Sequence, residues 1–184
     1  MLKPLDVVVG LKAHLWADTA AWTYERLAGA IGISPSQAHM SLGRLEHAGL
    51  YRRSDRSLRT HAFALFAAHG IPFAFPAGLG EQVVGLPTAH AAPPLRDLLT
   101  FVESYVWPAP AGVLGRALVP LHPAVPEAAA ADARLYAALA LIDALRVGRA
   151  RERSLAVIEL EQLLAETGRD TRWLAAQHAA GLAP

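Results

Sequence analysis

The chain has 184 residues, 53% of them apolar and 18% charged, with a net charge of +1 and no cysteine. So much apolar surface excludes a disordered tail protein, and the absence of cysteine excludes disulfides, thiolate metal sites and thiol nucleophiles. The charge is divided: residues 1–61 hold eight Lys/Arg against five Asp/Glu and residues 62–184 nine against eleven, a basic front and an acidic back, as expected if one end meets a polyanion and the other protein.

No run of about 18 uncharged apolar residues occurs, and the start lacks a basic stretch followed by an apolar signal core. The expectation is a cytoplasmic protein with no membrane association. In chain order, Leu5 to Leu15 reads as a first helix, with Leu5, Val8, Val9 and Leu15 on one stripe, Pro4 at its opening turn and Trp16 closing its end. Thr23 caps a second helix reaching Ile31, and Gly32 fits the left-handed position that ends it. Ser34 and Pro35 open a third helix, which runs to Ala48 before Gly49 stops it.

Residues Leu50 to Arg59 are polar and Arg-rich. Thr60 to His69 reads as a helix ending at Gly70, followed by a β-like Ile71-Pro72-Phe73-Ala74-Phe75. Residues 76–126 collect prolines and glycines, which disfavour long helices and predict short strands and ordered loops. Leu135, Ala138, Leu139, Ile142 and Leu145 then mark one helix, and Leu155, Ile158, Leu163 and Leu164 a second beyond Gly148, an antiparallel pair. A short helix from Thr171 to Ala180, carrying Trp173 and Leu174, closes the chain. The fold class expected is mainly α with a small β component: a helix-turn-helix unit over 1–60, a linker helix with short strands over 61–126, and a helical dimerisation or partner-binding region over 127–184.

The chemistry concentrates in residues 27–50. Two helices that cross through a three- to four-residue turn need a small residue where their backbones meet, which Ala28 supplies, and a sharp turn, which Gly32 supplies. Leu27, Ile31 and Ile33 face inward with Ala38, Leu42 and Leu45 of the third helix. That leaves Ser36, Gln37, Met40, Gly43, Arg44 and His47 outward, with His39 at the edge. Gln37 suits the N6/N7 edge of adenine and Arg44 the O6/N7 edge of guanine, while Ser34, Ser36 and the helix start suit phosphates.

From Leu27-Ala28 through Gly32-Ile33-Ser34, Leu42, Leu45-Glu46 and Gly49-Leu50, the sequence resembles the winged helix-turn-helix regulators, the broad MarR-like and GntR-like groups. The resemblance covers about a third of the chain. It implies double-stranded DNA binding without naming an operator or ligand. Only Arg52 to Arg59 intervene before the next helix, so the two-stranded wing is short or missing. Arg52, Arg53, Arg56 and Arg59 against a single Asp55 either hold phosphates electrostatically or form a solvated turn.

Elsewhere the signals are weak. The eight histidines include no close pair with a carboxylate at zinc-protease spacing, Gly78-Leu79-Gly80-Glu81 lacks the later glycine of a dinucleotide fingerprint, and no Gly-x-Ser-x-Gly elbow occurs. No metal, cofactor or enzymatic activity is expected. The aromatics from Phe73 to Trp107 line a pocket or form core, and Arg149, Arg151 and Arg153 open a helix against its dipole. The expected function is a sequence-specific transcriptional regulator, a homodimeric repressor using the apolar tail as its dimer surface. The alternative is an antitoxin-like protein or adaptor that autoregulates through the same motif and binds a protein partner through residues 71–184.

Overall fold

The computed structural model describes residues 1–16 and 22–166; the expected helix over Thr171–Ala180 lies outside them. The described residues are mainly helical with a small sheet component. The first helix, α1 (Pro4–Leu15), starts with Pro4 in its first turn, and the Asp6 carboxylate accepts the Lys3 backbone N–H at 2.8 Å. Every residue from Leu5 to Ala13 is buried, including Asp6 and Lys12, so α1 runs through the core instead of lying on it. Both charges are paired: Asp6 with Arg44, and Lys12 Nζ with Asp132 at 2.6 Å.

After α1 come α2 (Tyr24–Gly29) and α3 (Pro35–His47). Thr23 caps α2, its hydroxyl accepting the Arg26 N–H at 3.3 Å. The Ala28 carbonyl gathers the N–H groups of Ile31, Gly32 and Ile33. Gly32 (φ +79°) reverses the chain between α2 and α3, and Gly49 (φ +73°) ends the segment after α3; both lie in the left-handed region that side chains disfavour. Strands β1 (Tyr51–Arg52) and β2 (Ser57–Leu58) then pair antiparallel, Tyr51 opposite Leu58, with Arg56 left-handed in the connection. The short ribbon that eight residues left in question therefore forms, two residues to a strand.

Helix α4 (Thr60–His69) follows. The segment expected as a strand at Ile71–Phe75 is instead a helical turn, α5 (Ile71–Ala74). A five-residue apolar run fits either state by periodicity, and Pro72 sits in a first turn where its missing N–H costs nothing. Residues 76–126 hold no long helix, as expected, but their first strand is not short. β3 (Leu79–Thr88) pairs along its first part with β5 (Val113–Leu118) and along its second with β4 (Tyr105–Pro108), both antiparallel. β4 and β5 also pair, in parallel, so the three strands close on themselves.

Helices α6 (Val125–Ala130), α7 (Ala133–Val147) and α8 (Ala150–Ala165) complete the described chain. α7 and α8 pack antiparallel as expected across the two-residue link Gly148-Arg149. α7 is buried from Leu135 through Arg146, packed by α1, α5, α6 and α8, so its apolar surface is consumed within the chain. On α8 the buried row is Ala156, Leu160, Leu163 and Leu164, and Ile158, expected among them, is half exposed.

The sheet is fastened to α7 by a buried polar network. Asp143 Oδ2 accepts from Thr88 Oγ1 at 2.9 Å and Trp107 Nε1 at 2.6 Å. Its Oδ1 accepts from Arg146 Nη1 at 2.7 Å, and Arg146 also donates to the carbonyls of Phe75 and Val119. Burial pushes the Asp143 carboxyl up, while Arg146 and the two neutral donors pull it back. Arg146→Met strands that carboxylate, and the expected loss of unfolding free energy in urea at pH 7 is about 3–5 kcal/mol. In this variant the carboxyl binds a proton more tightly folded than unfolded, so the deficit shrinks as pH falls and grows as pH rises. A loss below about 1 kcal/mol contradicts the network's role.

Candidate nucleic-acid interface

α3 is specified at both ends. Ser34 Oγ accepts the Gln37 N–H at 3.2 Å and Gln37 Oε1 accepts the Ser34 N–H at 2.9 Å, a reciprocal cap. Ala38, Ser41, Leu42 and Leu45 form its buried row, against Leu27 and Ile31 of the preceding segment and the wall of α1. Opposite that row, at 100° per residue, stand Ser36, Met40, Gly43 and His47. Gln37 lies along one margin of this outer face and His39 and Glu46 along the other. Ser36, Gln37, His39, Met40 and His47 are exposed, Met40 by 50%.

Arg44 differs from its expected placement on the free face. Its Nε donates to Asp6 Oδ2 at 2.8 Å and its Nη2 to Asp6 Oδ1 at 2.6 Å, with a further contact to Ser41 Oγ at 3.2 Å. The bidentate fork turns the guanidinium toward α1, and its hydrogen bonds to the Asp6 carboxylate make the Arg44 guanidinium hold its proton more firmly than usual. The signal was in the sequence: Arg44 is one turn beyond Ser41, at the border of the buried row, and Asp6 is an acid set inside an apolar stripe.

The other expected contacts gather on the ribbon. Arg52 pairs with Asp55 at 2.8 Å and Arg53 with Glu46 of α3 at 3.0 Å, all four side chains well exposed, so each pair contributes about 0–1 kcal/mol and opens readily to another anion. Arg56 Nη1 donates to the Trp22 carbonyl at 2.9 Å, with its guanidinium 5.2 Å from the Trp22 ring centre. Arg59 is exposed at the start of α4. His39 meets the Tyr24 ring edge-on at 5.1 Å, tying one margin of α3 to α2. Ser34 serves as the cap and Ser36 follows it in the first turn. The structure thus brings Ser34, Ser36, Gln37, His39 and Met40 onto α3 beside Arg52, Arg53 and Arg56, and directs Arg44 inward.

Among the described residues no group of His, Asp or Glu is placed to hold a metal ion, and no helix is long and apolar enough to cross a membrane. Of the aromatics in residues 73–107, Trp107 is core, held by Asp143, while Phe73 is largely exposed. Arg149 opens α8 with its backbone N–H on Glu152 Oε2 at 2.9 Å. Comparison with protein-family models, with curated proteins and with solved structures finds no match to this chain.

Removing either partner of the Asp6–Arg44 pair is expected to be unequal in cost. Arg44→Ala leaves a carboxylate with no exposed surface holding only the Lys3 N–H, a loss of about 3 kcal/mol or more. Asp6→Asn keeps one acceptor oxygen for the Lys3 N–H and Arg44 Nε and turns an amide NH2 toward Arg44 Nη2, while the guanidinium, a quarter exposed, keeps water as a partner, so the cost is smaller, about 1–2 kcal/mol. Urea unfolding of the two variants measures the difference, and equal costs contradict the fork.

Proposed function

We propose that the chain binds double-stranded DNA in a sequence-specific way, with α3 in the major groove and the arginine ribbon on the phosphates, and that it acts as a transcriptional regulator. The observation that carries this reading is the outer face of α3: capped at its start, uncovered by any described element and flanked by Arg52 and Arg53 in weak, exposed pairs. A helix alone in this way is suited to a groove about 12 Å wide, and the α2–turn–α3–ribbon order is that of a winged helix-turn-helix. Gln37 Nε2, Met40 and His47 are the base-facing side chains in this reading; Ser36, Arg52, Arg53 and Arg59 face phosphates, and Arg44 holds the helix to α1.

One reading helix buries too little for a specific affinity of about 10⁻⁸ M, which favours a homodimer acting as a repressor at a two-fold site. With α7 enclosed, the outer side of α8 is the described part of the tail left for self-association. A protein-partner reading, antitoxin-like or adaptor, has one observation in its favour: Val84 and Leu114, opposite one another on β3 and β5, are both exposed beside Val113.

Selection of duplexes from a random pool at about 0.15 M salt is expected to enrich an inverted repeat with half-sites about one helical turn apart. Gln37→Ala and His47→Ala should change which sequences are preferred. Arg52→Ala or Arg53→Ala should weaken binding to all duplexes and lower the salt slope by about one. No enrichment, together with co-purification of a second chain, contradicts the regulator reading and favours the adaptor.

A further inference from the structure

The outer side of α8 carries an ordered row. At 100° per residue from the buried Ala156, Leu160, Leu163 and Leu164, the opposite side presents Arg151, Ser154, Ile158 and Glu161. Their spacing of three, four and three residues is that of a seam between two packed helices. Arg151, Ser154 and Glu161 are exposed, and Ile158 at their centre is 49% exposed. α7, α4 and the turn at Leu95–Asp97 pack against α8, and no described element covers this row. α4 runs antiparallel beside it, since Thr60 and His61 share a small cavity with Glu161. Leu65, one turn further along α4 and half exposed, adds apolar surface at the margin.

The charges of α8 are sorted by end. Arg149, Arg151 and Arg153 stand at its start, and Glu159 and Glu161 in its last two turns. This order runs against the helix dipole, which favours acids at the start and bases at the end. Nor do the charges relieve one another within the helix, because none of Arg151, Arg153, Glu159 and Glu161 has an opposite charge three or four residues away. Among the described residues none of these four forms an ion pair. The remaining acid of the first half, Glu152, is committed elsewhere: its carboxylate accepts the Arg149 N–H at 2.9 Å and lies 3.9 Å from the buried His90.

We propose that α8 pairs antiparallel with α8 of a second copy of this chain, about a two-fold axis at the level of Ala156. In that register Arg151 stands opposite the partner subunit's Glu161 and Ser154 opposite the partner subunit's Ile158, and each contact occurs twice. Ile158 from each copy flanks the axis, and Arg153 and Glu159 continue the same polarity along the sides. A parallel pairing sets arginine against arginine and glutamate against glutamate, so the sorted charges select the antiparallel one. A polyanion or an acidic protein segment suits the first half of the row and is repelled by the second; the row is complementary to itself. This deepens the homodimer named above and rests on that part of the reading, not on DNA binding.

The test is sedimentation equilibrium of the full chain without DNA, over about 1–300 μM and at about 0.05 M salt, where exposed charges are screened little. The chain should be a reversible dimer. Arg151→Glu and Glu161→Arg, both at exposed positions, should each weaken association about tenfold or more with the helical circular dichroism unchanged. Combining them should restore association to within about threefold of the original chain. Within one helix the two residues are about 15 Å apart, so the restoration arises between chains. A chain that stays monomeric across this range overturns the proposal and the homodimer reading with it. A dimer indifferent to both single reversals, or a double variant that does not regain association, overturns the proposal and leaves a homodimer built on another surface. With DNA left out, a failure of DNA binding leaves the proposal standing.

Discussion

A carboxylate with no exposed surface, Asp6, sits in the middle of the molecule, and a guanidinium from α3 closes on it. A buried charge is tolerated only when paired and hydrogen-bonded, so α1 and α3 take up one relative position, the one in which the Asp6–Arg44 fork forms. At the other end of α1 the same constraint recurs, because Lys12 is buried and its partner is Asp132, the residue whose carboxylate also caps α7. Buried pairs of this kind add little net stability over apolar replacements, but a mispaired alternative is expensive. They act here as registry pins along a helix whose apolar contacts alone permit sliding and rotation.

The arrangement of the remaining elements follows from this through-core helix. His14, near its end, accepts the Leu58 N–H on Nδ1 at 3.3 Å. The ring proton therefore lies on Nε2, which reaches the Leu164 carbonyl at 2.9 Å. One imidazole thus links the ribbon to the end of α8. The sheet joins through a second buried acid, Asp143, which collects donors from two strands and from its own helix. With the inner row of α3 packed inward and α1 enclosed by α3, α7 and the ribbon, the outer row from Ser36 to His47 is uncovered by any described element.

Much of this was legible in the sequence where local chemistry decides. Thr23, Ser34 with Pro35 and Gln37, Gly32 and Gly49 act within a few residues of themselves, and the helix starts fall where those residues put them, although α2 stops at Gly29, short of the expected Ile31, because the chain already turns through Ala30 and Ile31 toward Gly32. The periodic rows in α3 and α7 were equally readable. What the sequence did not disclose depends on partners far along the chain: Arg44 on Asp6, 38 residues away, and Trp107 on Asp143, 36 away. Ile71–Ala74 was misread because a short apolar run carries no period of its own, and Ile158 because its place on α8 is decided by where α4 and α7 approach that helix.

In the proposed function the outer face of α3 meets DNA, and the chain holds two methionines, Met1 and Met40, the second at the middle of that face. Methyl-labelled methionine therefore gives a two-line spectrum with one reporter on the proposed interface. Titration with the best-enriched duplex should move or broaden the Met40 methyl, and Met40→Leu identifies the line. A Met40 methyl that stays put while the duplex binds rules out this face as the DNA contact, and a duplex that does not bind at all rules out the proposed function.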